Sequence, residues 1–368
     1  MPKADALTSA TAARAKLTSA RRVVVKIGSS TLAGGGHIFE RLAAATERAH
    51  SEGRAVVVVS SGAIALGTKK LGFRTRPKEM AKLQAAAAAG QSLLMRAYEE
   101  AFGARGISVA QVLLTHADLA DRTRANNARA ALGALLDARC VPILNENDSV
   151  AVEEIKFGDN DQLAAMVAPL VDADLVVLLS DVSGLLDESG VRVAIVHDVA
   201  TEALPHVRKP SGTRVGTGGM ASKIEAARRG TLAGANVVVA DAGAEGVLDA
   251  VLAGEDVGTL FVASPDRLSA KKYWIAFTLR PRGDLVLDRG AAFAVRTKGK
   301  SVLSVGVLGV RGDFRAGDAI RLLDPDGTEI GRGLARRAAV DALLVAGKAR
   351  DLSDDSSVLV HRDELVVW

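Results

Sequence analysis

Five short apolar runs, most of them rich in β-branched residues, recur along the first two thirds of the chain and most constrain its fold. The runs are VVVKI, AVVVV, VPIL, LVVLL and NVVVA, and each stops at small or polar residues. Runs that are apolar on both faces are typical of strands buried on both sides of a largely parallel sheet. Helical patterns lie between them, as in DRTRANNARAALGALLDA, where apolar residues share one face. The alternation predicts a layered α/β fold.

The pattern changes after about residue 264. The segment SPDRLSAKK favours a linker, and the stretches beyond it are short strands separated by Gly and Asp turns. We predict a second, small, mostly β domain with a barrel-like form. The expected organisation is a disordered extension over 1–20, an α/β domain over 21–264, a linker over 265–273 and a β domain over 274–368.

Composition narrows the class of protein. Of 368 residues, 48% are hydrophobic, which supports a globular core, and one cysteine excludes an intramolecular disulfide. The sequence contains no apolar run long enough to span a membrane, so we expect a cytoplasmic protein without membrane contact. The first 20 residues faintly resemble a transit peptide, but a disordered cytoplasmic extension is favoured. The net charge of +4 falls entirely from Lys271 onward, which weakly indicates an anionic partner there.

Small and charged residues cluster where the predicted strands end, which is where open α/β sheets bind ligands. They occur in KIGSS, SSGA, NEND, GDND and GTRVGTGGMASK. Small residues let backbone N–H groups approach an anion, and a nearby lysine adds positive charge. The pattern in GDND is also explained by a turn and a helix cap, so Asp159 is left open between a cap and a site residue.

Several common chemistries have no matching motif in the chain. It has no Walker A loop, no G-x-G-x-x-G, no G-x-S-x-G and no spaced Cys and His zinc ligands, and we predict no metal-ligating residues. Two lysines, Gly-rich loops and acidic residues remain. These suit phosphoryl transfer without a covalent intermediate, which depends on positioning and charge neutralisation. A carboxylate acceptor would need no general base, whereas lysines would be needed to bring two anions together.

The motifs VVVKIG, SSGAIALG, LLTHADLADRTRANNAR, VPILNENDSVAVEEIKFGDNDQLAA and GTGGMASK together make the chain recognisable. From about Arg22 to His361 it resembles the amino acid kinase family, and within it the members that act on glutamate and carry a carboxy-terminal PUA domain. The resemblance implies a three-layer sandwich around the parallel sheet, followed by a PUA barrel. It implies ATP-dependent phosphorylation of the γ-carboxylate of L-glutamate to L-glutamyl 5-phosphate, which begins proline synthesis.

The resemblance also implies roles for individual residues. Catalysis would involve Lys26, Lys223 and Asp161, with Asp161 organising the two lysines. Glutamate would be held by Ser61, Asp148 and Asn160. The residues expected at the nucleotide are Lys26, Ser180, Asp181, Thr217, Gly218, Gly219, Met220, Ala221, Ser222 and Lys223. The segment LLDESGVRVAIV is shorter than its usual counterpart in this family, so the contacts of the base are left open.

Cofactors and partners follow from the same resemblance. ATP with Mg²⁺ is expected, together with glutamate, proline as a feedback inhibitor, a reductase that takes the acyl phosphate, and a homo-oligomer (dimer or tetramer) formed through the helical region 77–138. Two alternatives remain. One is another kinase of the family, acting on acetylglutamate, aspartate, carbamate or UMP. The other is an RNA-linked PUA protein, for which a charge of +4 is modest.

Overall fold

The computed structural model describes residues 11–33, 37–150, 159–207, 219–348 and 357–368. The chain divides into two compact units, Met1–Arg267 and Leu268–Trp368. In the described residues, no helix is long and apolar enough to cross a membrane.

The first unit is built on an eight-stranded sheet with the order β3-β4-β2-β1-β5-β7-β8-β6. Its neighbouring strands pair in parallel except at β7 and β8, which are antiparallel. The strands are β1 (Arg22–Ile27), β2 (Ala55–Ser60), β3 (Val109–Leu114), β4 (Val141–Glu146), β5 (Leu175–Ser180), β6 (Ile195–Val196), β7 (Asn236–Asp241) and β8 (Thr259–Phe261).

Helices connect these strands and cover the sheet. They are α1 (11–15), α2 (Ser29–Ala33), α3 (His37–Ser51), α4 (Ala63–Lys70), α5 (Met80–Gly103), α6 (His116–Ala120), α7 (Arg122–Asp137), α8 (Asp159–Val167), α9 (Leu204–Val207), α10 (Met220–Leu232) and α11 (Val247–Leu252). Short 3₁₀ or π turns occur at Lys16–Ser19, Ala168–Leu170 and Val199–Ala203.

Successive side chains of the central strands enter two separate cores, one on each face of the sheet. In β1, Val23 and Val25 pack into the core that contains residues of α3, α5 and α11. Val24 packs into the other core, with residues of α7, α8 and α10. Because both faces of the sheet are buried, strand side chains that point to either face are apolar. The predicted three-layer α/β fold with a largely parallel sheet is confirmed.

The amino-terminal segment differs from the extension expected over residues 1–20. Residues 11–15 are helical, and the next turn buries Leu17 completely in the core shared with α3 and α11. Arg14 is also buried, and its guanidinium donates to the carbonyl oxygens of Ala194, Glu255, Val257 and Gly258 at 2.9–3.0 Å. Residues 10–15 contain four alanines, which have the highest helix propensity of all residues. Residues 1–10 lie outside the described part.

The described residues of the second unit form seven strands. A five-stranded sheet has the order β11-β9-β12-β13-β15, and β10 pairs with β14. The strands are β9 (Gly283–Leu287), β10 (Val302–Leu303), β11 (Val307–Gly312), β12 (Ala319–Leu323), β13 (Glu329–Leu334), β14 (Val358–Val360) and β15 (Leu365–Val367). Its helices are α12 (Ala270–Tyr273), α13 (Arg289–Lys298) and α14 (Ala339–Val345), with short turns at Trp274–Thr278, Ser304–Gly306 and Arg362–Glu364.

Part of the expected linker over 265–273 is helical. Ser269 caps α12 by accepting from the backbone N–H of Lys272, and Tyr273 at the end of this helix is buried beside Phe277. The aromatic side chains that mark this stretch therefore contribute to the packing of the second unit.

Helices α4 and α5 cross at a point where only glycine fits. A β-carbon built on Gly67 would lie 1.7 Å from the carbonyl oxygen of Ala86, and one on Gly90 would lie 1.7 Å from that of Ala63. Both obstacles are backbone atoms, which cannot move aside by rotating a side chain. The backbones of the two helices are therefore in direct contact, which fixes their separation.

We expect Gly90→Ala to lower the free energy of unfolding by about 2 to 3 kcal/mol, because the methyl group forces the two backbones apart. Urea denaturation of the purified variant measures the change. Gly133→Ala is the matched control, because this glycine lies in α7 and an added β-carbon meets no atom within 4 Å. That control should be stabilised by about 0.5 to 1 kcal/mol. Equal effects in both variants would contradict the close contact.

Candidate active site

Four neighbouring strands of the central sheet end beside one another and carry the polar residues of a candidate site. They are β4, β2, β1 and β5, which are adjacent in the sheet and run parallel. Their carboxyl ends contribute Asn145, Ser60, Lys26 and Ser180. This is the edge where parallel α/β sheets bind ligands, and the helices α8 and α10 add further side chains to it.

A buried carboxylate between two lysines forms the centre of the site. The Nζ atom of Lys26 lies 2.6 Å from Oδ1 of Asp161, and the Nζ atom of Lys223 lies 3.5 Å from Oδ2. The side chains of Lys26, Lys223 and Asp161 are only 7%, 8% and 1% exposed. Two ammonium groups therefore share one carboxylate at a place shielded from water. Such a cluster favours an incoming anion.

The geometry of this cluster depends on two helix starts. Asp161 is in the first turn of α8 and Lys223 is in the first turn of α10. The side-chain amide of Gln162 donates to the carbonyl oxygen of Ser222 at 3.0 Å, which links the two turns directly. The Oε1 atom of Gln162 is buried with no hydrogen-bond partner among the described residues. A hydrogen bond between the neighbours of Asp161 and Lys223 thus holds the first turns of the two helices together.

Asn160 lies beside the cluster with its amide group oriented by three acceptors. Its Nδ2 atom lies 2.9 Å from Ser61 Oγ and 3.1 Å from both the carbonyl oxygen of Ser60 and Oδ1 of Asn145, so its two N–H groups are shared among three acceptors. Its Oδ1 atom is buried and has no partner in the described part of the chain. A buried acceptor without a donor is costly, so this oxygen is suited to receive an N–H group from a ligand.

Three buried residues that the motifs did not single out complete this side of the site. Asn145 donates through Nδ2 to Oε1 of Gln91 at 2.9 Å, and the hydroxyl of Tyr98 donates to Ser60 Oγ at 2.9 Å. Burial raises the pKa of Tyr98 far above its ordinary value, so its hydroxyl keeps its proton and remains a donor. Asn145 was within reach of sequence reasoning because it begins the NEND motif. Gln91 and Tyr98 were not, because they belong to an apolar helix pattern.

Ser180 and Asp181 lie where β5 ends. The hydroxyl of Ser180 donates to Oδ1 of Asp181 at 2.9 Å. This bond, a backbone N–H bond and the positive charges of Lys223 and Lys26 hold the pKa of Asp181 below its ordinary value. Asp181 is thus a carboxylate that stays ionised near both lysines.

Among the described residues, the N-cap position of α10 makes no side-chain capping hydrogen bond. Gly219 is the N-cap residue, and Met220, Ala221, Ser222 and Lys223 follow in the first turn. The N–H groups of such a turn, with the positive end of the helix dipole, are suited to bind phosphate oxygens. Thr217 and Gly218, which were also expected at the nucleotide, lie outside the described residues.

Asp148 and Asp159 are less clearly placed in the site. Asp148 follows β4 and is partly buried, and the charge of this carboxylate acts on Arg76. The described contacts show no direct bond from Asp148 to Ser61 or Asn160. Asp159 begins α8, but its side chain lies outside the described part, as do residues 151–158 before it. Whether Asp159 caps the helix or belongs to the site therefore stays a prediction.

The described residues offer no ready-made metal cage. Among them, no group of three or more His, Cys, Asp or Glu side chains is arranged to hold a metal ion.

Comparison with protein families identifies both units. Residues 21–241 match the amino acid kinase family, and residues 283–353 match the PUA domain. The chain belongs to the amino acid kinase family, as its motifs predicted.

Curated relatives resemble the chain over nearly its whole length. Proteins named Glutamate 5-kinase are 45% identical in Myxococcus xanthus (strain DK1622) and 43% identical in Pseudomonas putida (strain GB-1), covering 98% and 96% of this chain and 100% of each relative. A third of that name, from Geobacter metallireducens, is 42% identical and covers 95% of this chain and 98% of the relative. Both units therefore align with single relatives over nearly the whole length of each relative.

We expect Asp161→Asn to lower the free energy of unfolding by about 3 kcal/mol, because it leaves two buried ammonium groups without their carboxylate. Urea denaturation in low salt measures this, and adding ATP should recover part of the loss, since phosphates supply the missing negative charge.

Asp172→Asn is the matched control for this measurement. Asp172 also approaches cations, Arg22 and Arg129 at 3.6 Å each and Arg267 at 4.0 Å, but its side chain is 58% exposed. Surface pairs of this kind contribute about 1 kcal/mol or less. If the two variants lost equal stability, the cluster around Asp161 would be as well screened as the surface.

Proposed function

We propose that this protein is a glutamate kinase, which transfers the γ-phosphoryl group of ATP to the γ-carboxylate of L-glutamate and releases ADP. The product, L-glutamyl 5-phosphate, is the first intermediate of proline biosynthesis. The near full-length similarity to proteins named Glutamate 5-kinase carries this proposal. The buried cluster of two lysines and one carboxylate supports it independently, since phosphoryl transfer between two anions requires such positive charge.

In the proposed reaction, a γ-carboxylate oxygen of glutamate attacks the γ-phosphorus of ATP in line with the departing bridging oxygen of ADP. Glutamate carries no proton on this carboxylate at neutral pH, so no general base is needed. Lys26 and Lys223 would approach the transferred group from opposite sides and stabilise charge on its equatorial and bridging oxygens. Asp161 would hold both ammonium groups at this point without reacting itself, as its bonds to both lysines suggest.

The acceptor would bind among the residues beside β2, β4 and α8. The free Oδ1 atom of Asn160 suits the ammonium group of glutamate, and Asp148 would add a second, charged acceptor for it. The α-carboxylate suits the turn at Ser61, where the backbone enters α4 through Gly62 in a left-handed conformation. Partly buried Ser61 keeps its hydroxyl near Asn160, so both act on one end of the substrate.

ATP would bind between β5 and α10. The first turn of α10, from Gly219 to Lys223, would hold the phosphates, together with Thr217 and Gly218 before it. Ser180 and Asp181 would contact the nucleotide from the end of β5. When bound with ATP, Mg²⁺ would offset charge between the phosphates. The ionised state of Asp181 suits a contact to water around that ion.

Further proposals concern partners. A homo-oligomer formed through the helical region 77–138, competition by proline at the glutamate site, and a reductase that takes up the labile acyl phosphate all accord with this function. A cytoplasmic location accords with it as well.

We expect glutamate-dependent ADP release when purified protein is incubated with ATP and Mg²⁺. Added hydroxylamine should trap the acyl phosphate as a hydroxamate. Acetylglutamate, aspartate, carbamate and UMP are the comparison acceptors and should give little turnover. Turnover with one of these and none with glutamate would support kinase activity but would show that glutamate is not the acceptor. Silence with all five would overturn the proposed reaction and favour an RNA-linked role.

Variants separate the proposed roles in the same assay. Lys223→Ala should lower kcat by at least about 100-fold, as expected for removal of a charge that acts on the transition state. Asn160→Ala should mainly raise the KM for glutamate. Lys298→Ala, in the second unit and outside the proposed site, controls for the loss of a lysine and should leave both constants unchanged.

A further inference from the structure

Helix α5 carries two polar side chains on a face that is otherwise apolar and buried. The buried residues of this helix are Leu83, Ala86, Ala87, Gly90, Gln91, Leu94, Met95, Tyr98 and Phe102. Gln91 and Tyr98 are about two helical turns apart and so lie on the same side. Each makes its described hydrogen bond to a different strand end of the candidate site: Gln91 to β4 and Tyr98 to β2.

The hydrogen bonds of Asn145 require its amide group to face one way. Its Oδ1 atom accepts from Nδ2 of Asn160 at 3.1 Å and from the backbone N–H of Glu146 at 2.9 Å. Its Nδ2 atom must then donate in the opposite direction, and there it meets Oε1 of Gln91 at 2.9 Å. If Gln91 offered no acceptor, Nδ2 of Asn145 would be a buried donor without a partner among the described residues, and Asn145 would be held less firmly beside Asn160.

Asn160 depends on this orientation in turn. Its Nδ2 atom donates to Asn145, so its Oδ1 atom faces away from Asn145 and remains without a partner among the described residues. Loss of the Gln91 acceptor would therefore loosen the Asn145 oxygen to which Asn160 donates. The hydrogen bonds from Gln91 through Asn145 to Asn160 thus help to hold the amide group of Asn160 in place.

Tyr98 holds the second strand end through a similar chain. Its hydroxyl donates to Ser60 Oγ at 2.9 Å, and Ser60 Oγ donates to the carbonyl oxygen of Ser61 at 3.2 Å. The carbonyl of Ser60 itself accepts from Asn160. The two series of hydrogen bonds, one from Gln91 and one from Tyr98, therefore converge on the turn of residues 60–62 and on Asn160.

The helix that supplies these side chains is itself fixed against the acceptor turn. Gly90, next to Gln91, lies in backbone contact with Ala63, the first residue of α4, which follows that turn directly. Gln91 therefore has little freedom to shift along or away from the site.

We propose that Gln91 and Tyr98 are positioning residues that set the affinity of the site for its phosphoryl acceptor. Neither is assigned a contact with the acceptor, and each acts through another residue, Gln91 through Asn145 and Tyr98 through Ser60. The inference rests on the proposed function for the identity of the acceptor, which is glutamate.

The first test is Gln91→Met, which keeps the length of the side chain and removes its acceptor oxygen. We expect the KM for glutamate to rise about tenfold, with kcat and the KM for ATP changed by less than about twofold, since one buried hydrogen bond is lost. Tyr98→Phe should raise the KM for glutamate by a smaller factor in the same direction. An unchanged KM for glutamate in both variants would overturn the inference.

A double-mutant cycle tests whether Gln91 acts through Asn145. Asn145→Leu alone should raise the KM for glutamate, and adding Gln91→Met to it should cause no further increase. If Gln91→Met raised the KM by the same factor in both backgrounds, Gln91 would act independently of Asn145 and the inference would be wrong. Ser92→Ala, on the exposed side of the same helix, is the control and should match the wild type.

The outcomes also separate this inference from the proposed function. Wild-type turnover with glutamate and unchanged constants in the variants would overturn the positioning roles alone. Wild-type turnover with another acceptor would overturn the choice of glutamate, and the KM for that acceptor would then decide the positioning roles. Melting temperatures show whether a variant folds. If Gln91→Met does not fold, the KM of Tyr98→Phe for the acceptor decides the inference.

Discussion

The shared carboxylate of Asp161 is the constraint on which the rest of the site depends. Two lysines from β1 and α10 would repel each other if brought together in a buried place, and the single carboxylate makes their approach tolerable. Asp181, which stays ionised near both lysines, adds a second negative charge. The two buried lysines are thus compensated by carboxylates, and phosphate oxygens would give their ammonium groups further partners.

This arrangement requires elements that are distant in sequence to meet at one edge. The parallel order β4-β2-β1-β5 places four strand ends side by side, and α8 and α10 begin at the same edge. The charged centre lies near β1 and α10, whereas the amide network lies near β2, β4 and α5. The site thus has a phosphate side rich in charge and an acceptor side rich in neutral hydrogen bonds, which suits two chemically different ligands.

Much of the first unit could be predicted because its strands are apolar on both faces, as Val23 and Val24 illustrate by packing into opposite cores. Lys26, Asp161 and Lys223 could be proposed because their motifs resemble a known family. The helical start at residues 11–19 was missed because an alanine-rich segment suits both a helix and a disordered tail. Gln91 was missed because its importance comes from a partner, Asn145, that is far away in sequence and adjacent only after folding.

The anchoring of Arg14 has a consequence for where this unit can be cut. The family match begins at residue 21, but Arg14 lies before that point and its guanidinium donates to four carbonyl oxygens. Three of these carbonyls belong to residues 255–258, close to the end of the unit. The side chain of Arg14 thus ties the beginning of the unit to its end. A polypeptide trimmed to the family boundary would lose these hydrogen bonds, and both ends of the unit would be more prone to fraying.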